Sequence, residues 1–220
     1  MNNGWRWDIV SDLVPLIGQG LVVLVLVTVL SSILALLLGL GIAVVHRAAP
    51  AVVRVPVFAV VEFIRNTPVL VQAVFVYAAT ISVMGKAASA FVVGFLVLGV
   101  HYATYTSEAY RAGIDGIPKG QWEAITALSL PKPRAWISVL LPQALRRSTP
   151  ALGNYVIALF KEVPILTAIG VAEMVDRVDG YASSHYGGAL EGYTMAGLIF
   201  LAISYPVALL MRRLEKRLAN

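Results

Sequence analysis

Residues 18–45 read GQGLVVLVLVTVLSSILALLLGLGIAVV, and this stretch decides the fold class. It contains no charged residue, and leucine and valine dominate it. A helix of this length can cross the hydrocarbon of a bilayer, about 30 Å thick, with some tilt. The run is also longer than the apolar core of a signal peptide, roughly 7–15 residues, and the N-terminus lacks a basic region. The stretch therefore predicts a retained transmembrane helix.

The composition of the whole chain supports the same fold class. Of the 220 residues, 59% are hydrophobic and 13% are charged, whereas soluble domains carry roughly 25% charged residues. The mean hydropathy is +0.80. Cysteine is absent, which excludes disulfides, a thiol nucleophile and cysteine-ligated metal sites. We predict an all-α integral membrane protein in which residues 1–220 form a single transmembrane domain.

Hydropathy along the chain predicts about five transmembrane helices, at residues 18–45, 56–83, 91–110, 150–171 and 193–211. Span two contains Pro68, which lacks a backbone N–H and disfavours helix at the preceding residue, so we expect a kink near Thr67. Span four is interrupted by Lys161, Glu162 and Pro164. The acidic segment 173–192 is rich in Gly, Ser and Tyr, and is predicted to be a water-exposed loop.

The distribution of basic residues predicts the orientation of the chain. The connector after span one, the polar stretch 111–149 and the C-terminal tail would share one side of the membrane. They contain twelve lysines and arginines, namely Arg47, Arg54, Arg111, Lys119, Lys132, Arg134, Arg146, Arg147, Arg212, Arg213, Lys216 and Arg217. The opposite side contains Arg6, Lys86 and Arg177. The positive-inside rule then predicts an external N-terminus, an internal C-terminus and a cytoplasmic stretch 111–149. It also accounts for the net charge of +5 without a nucleic-acid partner.

The polar stretch predicts two short helices, Lys119–Leu128 and Arg134–Leu141, separated by Pro131 and Pro133. Each carries a tryptophan together with other apolar residues, and the remaining positions of each helix are largely polar. A short amphipathic helix of this kind can dock into a hydrophobic groove of a soluble partner. It can equally lie on the lipid surface with its basic residues toward anionic headgroups. The residues themselves leave both interpretations open.

Several motifs together resemble one family of membrane proteins. Glu123-Ala124, Ser129, Val139 and Leu141-Pro142 resemble the EAA signature of transmembrane subunits of bacterial ABC importers, which reads E-A-A, three residues, G, nine residues, then I-x-L-P. The segments 108–114, 141–146 and 62–72 resemble the polar amino acid permeases, which handle histidine, glutamine, arginine and related compounds. The resemblance covers nearly the whole chain. It implies the transmembrane subunit of an importer for a polar amino acid or a similar small zwitterion.

The chain departs from the family pattern at four places. Ile125 replaces the second alanine of the signature, and Val139 replaces its isoleucine. Ser129 stands where the signature has glycine, so a left-handed backbone at this position would be strained. Span four reads KEVPIL from Lys161 to Leu166, where relatives commonly read K-[ED]-T-S-L. The missing hydroxyl groups leave the substrate undetermined.

The resemblance also implies partners for the chain. Two such subunits pair, as a homodimer or with a sister permease, and an extracytoplasmic solute-binding protein delivers the substrate. Cytoplasmic ATP-binding subunits bind ATP and Mg²⁺, so no cofactor is expected on this chain, which lacks a P-loop motif. The expected location is the bacterial plasma (inner) membrane, with lipid around the multi-pass chain. The residues expected to dock the ATPase are Trp122, Glu123, Ala124, Thr126, Ala127, Leu128 and Ser129.

Polar residues at membrane depth are the candidate substrate pathway, because charges there usually face a cavity or a partner. The residues are Glu62, Arg65, Asn66, Thr67, Lys161, Glu162 and Thr167. Glu62 and Arg65 are three positions apart and share a helix face, so the alternative is an ion pair that holds helices together. His101 is expected to be a packed, hydrogen-bonded side chain. No catalytic or metal-binding residue is expected; the rival functions are a channel or assembly subunit and an intramembrane enzyme.

Overall fold

The computed structural model describes residues 5–185 and 187–219, and throughout this part of the chain the regular structure is helical. Nine α-helices occur in it, with a π-helical turn before α7 and a 3₁₀ segment after it. The elements are α1 Trp7–Ala48, α2 Ala51–Arg65, α3 Val69–Met84, α4 Ala90–Asp115, α5 Lys119–Ala127, α6 Lys132–Ala135, the π turn Trp136–Leu140, α7 Leu141–Glu162, the 3₁₀ segment Val163–Ile169, α8 Met174–His185 and α9 Ala189–Ala219.

Among the described residues, four helical segments are long and apolar enough to cross a membrane. They are α1, α4, the continuous segment Lys132–Ile169 and the segment Ala189–Leu218 of α9. Helices α2 and α3 together pass the same test, although they are bent by 105° at the short break between them. Counting this pair as one span gives five, so the predicted all-helical fold with about five spans is confirmed.

Helices α1 and α4 pack closely because small residues lie between them. A Cβ atom at Gly39 would collide with the Thr106 hydroxyl, and one at Gly99 would lie 2.6 Å from Leu34 Cδ2. The Thr106 hydroxyl also donates to the carbonyl of Ala35 at 2.7 Å. Small residues that allow close backbone approach, supplemented by hydrogen bonds between helices, are the usual basis of packing in membranes.

Helix α1 is longer than the predicted span, because it begins at Trp7 instead of near Gly18. Ile9, Leu13 and Ile17 recur every four residues and are all buried. This spacing places them on one face of a helix. The charged residue Asp12 occupies another face and is exposed. The predicted bounds of span one were set by the absence of charged residues. They therefore omitted the first section of α1, which is amphipathic.

The prediction of a water-exposed loop over residues 173–192 is wrong. Residues Met174–His185 form α8, in which Met174, Val178 and Tyr181 are buried. Their spacing of four and three positions makes one apolar face on an otherwise polar helix. A segment with alternating charges and small residues can thus be amphipathic, and here the apolar face packs into the core.

The kink predicted near Thr67 is confirmed, and it separates two helices. Helix α2 ends at Arg65, α3 begins at Val69, and Pro68 lies between them with an extended backbone. Because proline lacks an N–H and disfavours helix at the residue before it, the backbone hydrogen bonds of the last turn of α2 are interrupted here. The break therefore frees carbonyl groups at membrane depth, where water does not satisfy them.

Ser129 has a left-handed backbone, with φ of +47°, in the turn after α5. Among the described residues it is the one non-glycine residue with positive φ. The left-handed region costs a residue with a Cβ atom roughly 1–2 kcal/mol. The strain expected from the serine at this signature position is therefore present in the structure.

Ser129→Gly is expected to stabilise the protein by about 0.5–1 kcal/mol. Glycine relieves the left-handed strain, and part of that gain is lost because glycine increases the entropy of the unfolded chain. The measurement is thermal unfolding of the purified protein in detergent.

Ser138→Gly provides the matched control, because Ser138 is exposed within the right-handed π turn. There glycine is expected to destabilise by roughly 0.5–1 kcal/mol, since it only adds unfolded-state entropy. A Ser129→Gly variant that is no more stable than the Ser138→Gly variant would contradict the strain at position 129.

Candidate functional site

A glutamine side chain bridges the break between α2 and α3. Gln72 Nε2 donates to the carbonyl of Ile64 at 2.7 Å, and it also lies 3.1 Å from the carbonyl and 2.7 Å from the hydroxyl of Thr67. The Thr67 hydroxyl donates in turn to the carbonyl of Phe63 at 3.0 Å. These side chains satisfy carbonyls that the break frees, which a buried backbone group requires. Gln72 therefore stabilises the bent conformation.

The same glutamine connects the break to α4 and extends toward α7. Gln72 Oε1 lies 3.2 Å from His101 Nδ1, which is buried in the middle of α4. Hydrogen bonds therefore lead from Thr67 through Gln72 to His101. Ring contacts continue from His101 to Tyr105 and then to Tyr155 of α7. This polar chain joins the break in span two to the helix that carries the second interrupted span.

Arg65 is the centre of an ion-pair network at the end of α2. Its guanidinium donates to Glu62 at 3.1 Å, to Glu108 at 3.2 Å and to the carbonyl of Thr104 at 2.9 Å. Glu108 is also paired with Arg111 one turn further along α4. The expected neutralisation of Glu62 by Arg65 is thus present, and the network ties α2 to α4. Burial of the Arg65 Nε atom without a partner leaves one donor of the guanidinium unsatisfied.

Aromatic rings surround this network. The Arg65 guanidinium carbon lies 6.0 Å from the centre of the Tyr105 ring, within the range of a cation–π contact. Tyr105 is 5.7 Å from Tyr155 of α7 and 5.4 Å from His101 of α4, centre to centre. Both tyrosines are partly exposed. The tyrosine rings and hydroxyls thus form a surface of mixed polarity beside the Arg65 cation.

The remaining predicted pathway residues are not all in one place. Lys161 is exposed on α7 and makes no ion pair with any residue that the structure describes. Asn66 donates to the Glu62 carboxylate at 3.1 Å and therefore belongs to the Arg65 network. Thr167 lies in the 3₁₀ segment, where its hydroxyl donates to Glu173 at 3.0 Å. Thr167 is therefore separate from the Arg65 network and engaged in another contact.

Glu173 is fully buried just before α8, a position that the sequence reading assigned to a loop. Its Oε1 accepts hydrogen bonds from the backbone N–H groups of Val175 and Asp176 and from Thr167. Its Oε2 is buried without a partner. Burial raises the pKa of the Glu173 carboxyl, because desolvation disfavours the charged form more than these hydrogen bonds favour it. Glu173 thus caps α8 and links it to the end of span four.

Helix α5 presents two different faces. Trp122 and Ile125 pack on a small cluster formed by Ile114, Ile117, Leu140 and Ala144, and the Trp122 ring meets Trp136 edge to face at 6.0 Å. The other residues expected to dock the ATPase are exposed, namely Glu123, Ala124, Thr126, Ala127, Leu128 and Ser129. Trp122 therefore holds α5 against its own chain, and the exposed face combines polar side chains with the apolar side chains of Ala124, Ala127 and Leu128.

The residues around the break that were not predicted as site residues include Gln72, His101, Glu108 and Tyr105. Gln72 and Glu108 were within the motifs that carry the family resemblance, but no partner was assigned to either of them. A polar residue four positions after Pro68 is one signal for Gln72, because such a side chain can reach carbonyls freed by the break. His101 is buried and contacts Gln72, as its expected hydrogen-bonded role requires.

Gln72→Leu is expected to destabilise the protein by about 1–3 kcal/mol. The substitution leaves the Ile64 and Thr67 carbonyls without their side-chain donor, and each unsatisfied buried acceptor is costly. Thermal unfolding in lipid nanodiscs measures the change. Gln19→Leu is the matched control, since Gln19 is exposed on α1 and makes no side-chain hydrogen bond in the described structure. Equal stability of the two variants would argue against a bracing role for Gln72.

Comparison with known proteins places the chain among transport proteins. Residues 35–220 match the family described as binding-protein-dependent transport system inner membrane component. The chain is 33% identical to a probable amino-acid ABC transporter permease protein of Sinorhizobium fredii, over 98% of this chain and 95% of that one. It is 32% identical to an arginine transport system permease protein of Bacillus subtilis, over 94% of each.

Two solved structures share the fold. One is described as an amino acid ABC transporter with histidines; it has a TM-score of 0.88 and 29% identity, and the match covers 97% of this chain and 99% of that one. The other is a methionine ABC transporter in an inward-facing conformation, with a TM-score of 0.77 and 20% identity over 94% of this chain and 98% of that one. At that identity the second structure supports the fold alone.

Proposed function

The chain belongs to the family of binding-protein-dependent transport system inner membrane components, and from this membership we propose that it forms part of the translocation pathway for a polar amino acid or a similar small zwitterion. The family consists of permease subunits of transporters, and its members are not enzymes. They are multi-pass proteins of the bacterial plasma membrane, which agrees with the apolar helices of this chain.

The observation that carries the proposal is the polar chain that begins at the break in span two. Thr67, Gln72 and His101 are joined by hydrogen bonds, and the Tyr105 ring connects His101 to Tyr155 of α7. Polar residues are expensive inside a membrane and mark substrate pathways in transport proteins. The similarity to amino-acid permeases supports an amino acid as the solute. Carboxylates, a guanidinium and tyrosine hydroxyls can bind both the amine and the carboxylate of such a molecule.

The pathway proposed here requires a second permease subunit. Helix α7 carries Asn154 and Lys161 seven residues apart within span four, so they lie along one side of the helix. Both are exposed in the single chain. A polar stripe facing hydrocarbon would be costly, so a second copy or a sister permease covering it, with a water-filled path between them, is the arrangement that we favour.

Cytoplasmic ATP-binding subunits supply the energy in this proposal, binding ATP and Mg²⁺ themselves. The exposed face of α5, from Glu123 to Ser129, is the proposed docking surface for one of them. An extracytoplasmic solute-binding protein delivers the substrate to the opposite side. The lipid-surface alternative for α5 is less favourable, because its Trp122 and Ile125 are turned toward the protein.

The test is uptake by the reconstituted complex, purified with its ATPase and solute-binding protein. We expect ATP-dependent accumulation of the amino acid that co-purifies with the binding protein. A channel would instead equilibrate the solute without ATP. Passive flux that is independent of ATP, or a complex that hydrolyses ATP without moving any amino acid, would contradict the proposal.

A further inference from the structure

A groove of about 700 Å³ lies where the last turns of α1 meet the polar stretch. It is separate from the polar chain of the proposed pathway. The groove is lined by Leu40 and Val44 of α1, by Ile114 of α4 and Ile125 of α5, and by Trp136 and Ile137 of the π turn. Val44 is 52% exposed and Ile137 is 68% exposed, so apolar surface is open at this position. A large exposed apolar surface of this kind marks a site of interaction with protein, lipid or another ligand.

The position of the groove along α1 places it at the membrane interface. The apolar run of α1 ends at His46 and Arg47, and the helix itself ends at Ala48. Trp122 and Trp136 also line the groove. Tryptophan, lysine and arginine are the residues that concentrate at this depth, where an acyl chain joins its headgroup. The groove therefore spans the boundary between hydrocarbon and headgroups.

Two cations lie at the polar end of the groove. Lys132 is exposed and makes no ion pair with any residue that the structure describes. Arg47 pairs with Asp115 at 2.9 Å, and its guanidinium carbon lies 5.3 Å from the centre of the Trp122 ring. Among the groove-lining residues no carboxylate balances Lys132. The groove thus combines an apolar interior with a positively charged mouth.

We propose that this groove binds an anionic phospholipid, with an acyl chain along Val44 and Ile137 and the headgroup phosphate at Lys132 and Arg47. By the charge distribution of the chain, this end is predicted to face the cytoplasm, where the leaflet carries the negative charge that such a mouth attracts. Lipid would hold α1 against the stretch that carries α5. The proposal uses the membrane insertion of the chain and is independent of its substrate.

A second copy of the chain fits the groove less well. In a twofold contact the same surface meets itself, so the positive charge of Lys132 and Arg47 would be brought to the interface by both copies. Like charges set against each other at an interface are repulsive. An anionic headgroup supplies the opposite charge, and its acyl chain supplies the apolar surface.

Tryptophan quenching by brominated lipid tests this site directly. The chain contains four tryptophans, and Trp5 and Trp7 lie at the opposite end of α1. In a Trp5→Phe, Trp7→Phe background, Trp122 and Trp136 are therefore the reporters. The protein is reconstituted in phosphatidylcholine bilayers with a minor fraction of phosphatidylglycerol. Bromine is carried either by the phosphatidylglycerol or by an equal fraction of the phosphatidylcholine.

We expect brominated phosphatidylglycerol to quench the two tryptophans more strongly than the same fraction of brominated phosphatidylcholine. Lys132→Gln is expected to lower that preference by about fivefold, the effect of removing one lysine near an anionic surface. Lys119 is an exposed lysine on α5 outside the groove, and Lys119→Gln is expected to leave the preference for phosphatidylglycerol unchanged.

Three results would overturn the proposal. Equal quenching by the two brominated lipids would mean that the groove does not select anionic lipid. Absence of quenching by either would mean that protein, such as a second subunit, covers it. A preference for phosphatidylglycerol that survives in Lys132→Gln would mean that anionic lipid gathers around the basic surface in general and not at the groove.

Discussion

Replacement of Arg65 by alanine is expected to abolish uptake and to destabilise the protein by about 2 kcal/mol. The substitution leaves Glu62 and Glu108 without their shared cation and removes the donor to the Thr104 carbonyl. Removing one partner of a buried ion pair costs about 3–5 kcal/mol, and the smaller figure allows for the partial exposure of Arg65. Unfolding in nanodiscs and ATP-dependent uptake in proteoliposomes measure the two effects.

A charge-balanced variant separates a pathway role from a structural one. In Arg65→Gln, Glu108→Gln the net charge of the network is unchanged, so we expect most of the stability to return. Uptake is expected to remain lost, because a guanidinium beside Tyr105 is still missing from the proposed pathway. Recovery of uptake together with stability would make Arg65 a structural ion pair only.

Arg54→Ala is the matched control for these measurements. Arg54 lies on the same helix, is exposed and makes no ion pair among the described residues. We expect its removal to change stability by less than about 0.5 kcal/mol and to leave uptake intact. A loss in Arg54→Ala as large as that in Arg65→Ala would indicate a general effect of removing positive charge from α2.

Glu123→Lys is expected to uncouple ATP hydrolysis from uptake while leaving membrane insertion intact. Glu123 is exposed on the face of α5 that is proposed to dock the ATPase, so the reversed charge acts on the interface and not on the fold. Reversing a charge within a docking surface places like charges together, which costs several kcal/mol. We expect transport per ATP hydrolysed to fall by about tenfold or more.

Glu215→Lys is the control with the same chemical change. Glu215 is exposed in the last turns of α9, far along the chain from α5. Coupled uptake is expected to continue in this variant. If Glu123→Lys transports with unchanged coupling, the exposed face of α5 is not the docking surface, and the lipid-surface interpretation of this helix regains support.

The break after α2 illustrates how far the sequence could be interpreted. Pro68 predicts an interruption because its ring and missing N–H disfavour a continuous helix, a preference that α1, α7 and α9 override at Pro15, Pro150 and Pro206. The bend of 105° and the bracing by Gln72 could not be predicted in the same way. They depend on which surfaces of α3 and α4 pack together, and that packing involves residues far apart in the chain.

Helix α8 shows a different limit. Its apolar residues Met174, Val178 and Tyr181 recur at helical spacing, so the pattern was available in the sequence. Composition concealed the pattern, because glycine and charged residues separate these apolar residues. The burial of Glu173 beside these apolar residues depends on tertiary structure, because the carboxylate accepts hydrogen bonds from the start of α8 and from Thr167.

The charge-free stretch 18–45 determined by itself that this protein lies in a membrane, because transfer of so many apolar side chains out of water outweighs any local preference. The same reasoning predicted about five helical spans and a helical connection between spans three and four. Only the tertiary structure decided which polar groups meet. Arg65 joins Glu108 across 43 positions, and Gln72 joins His101 across 29. Such contacts follow from helix packing, which depends on the shape of many side chains at once and leaves no local signature.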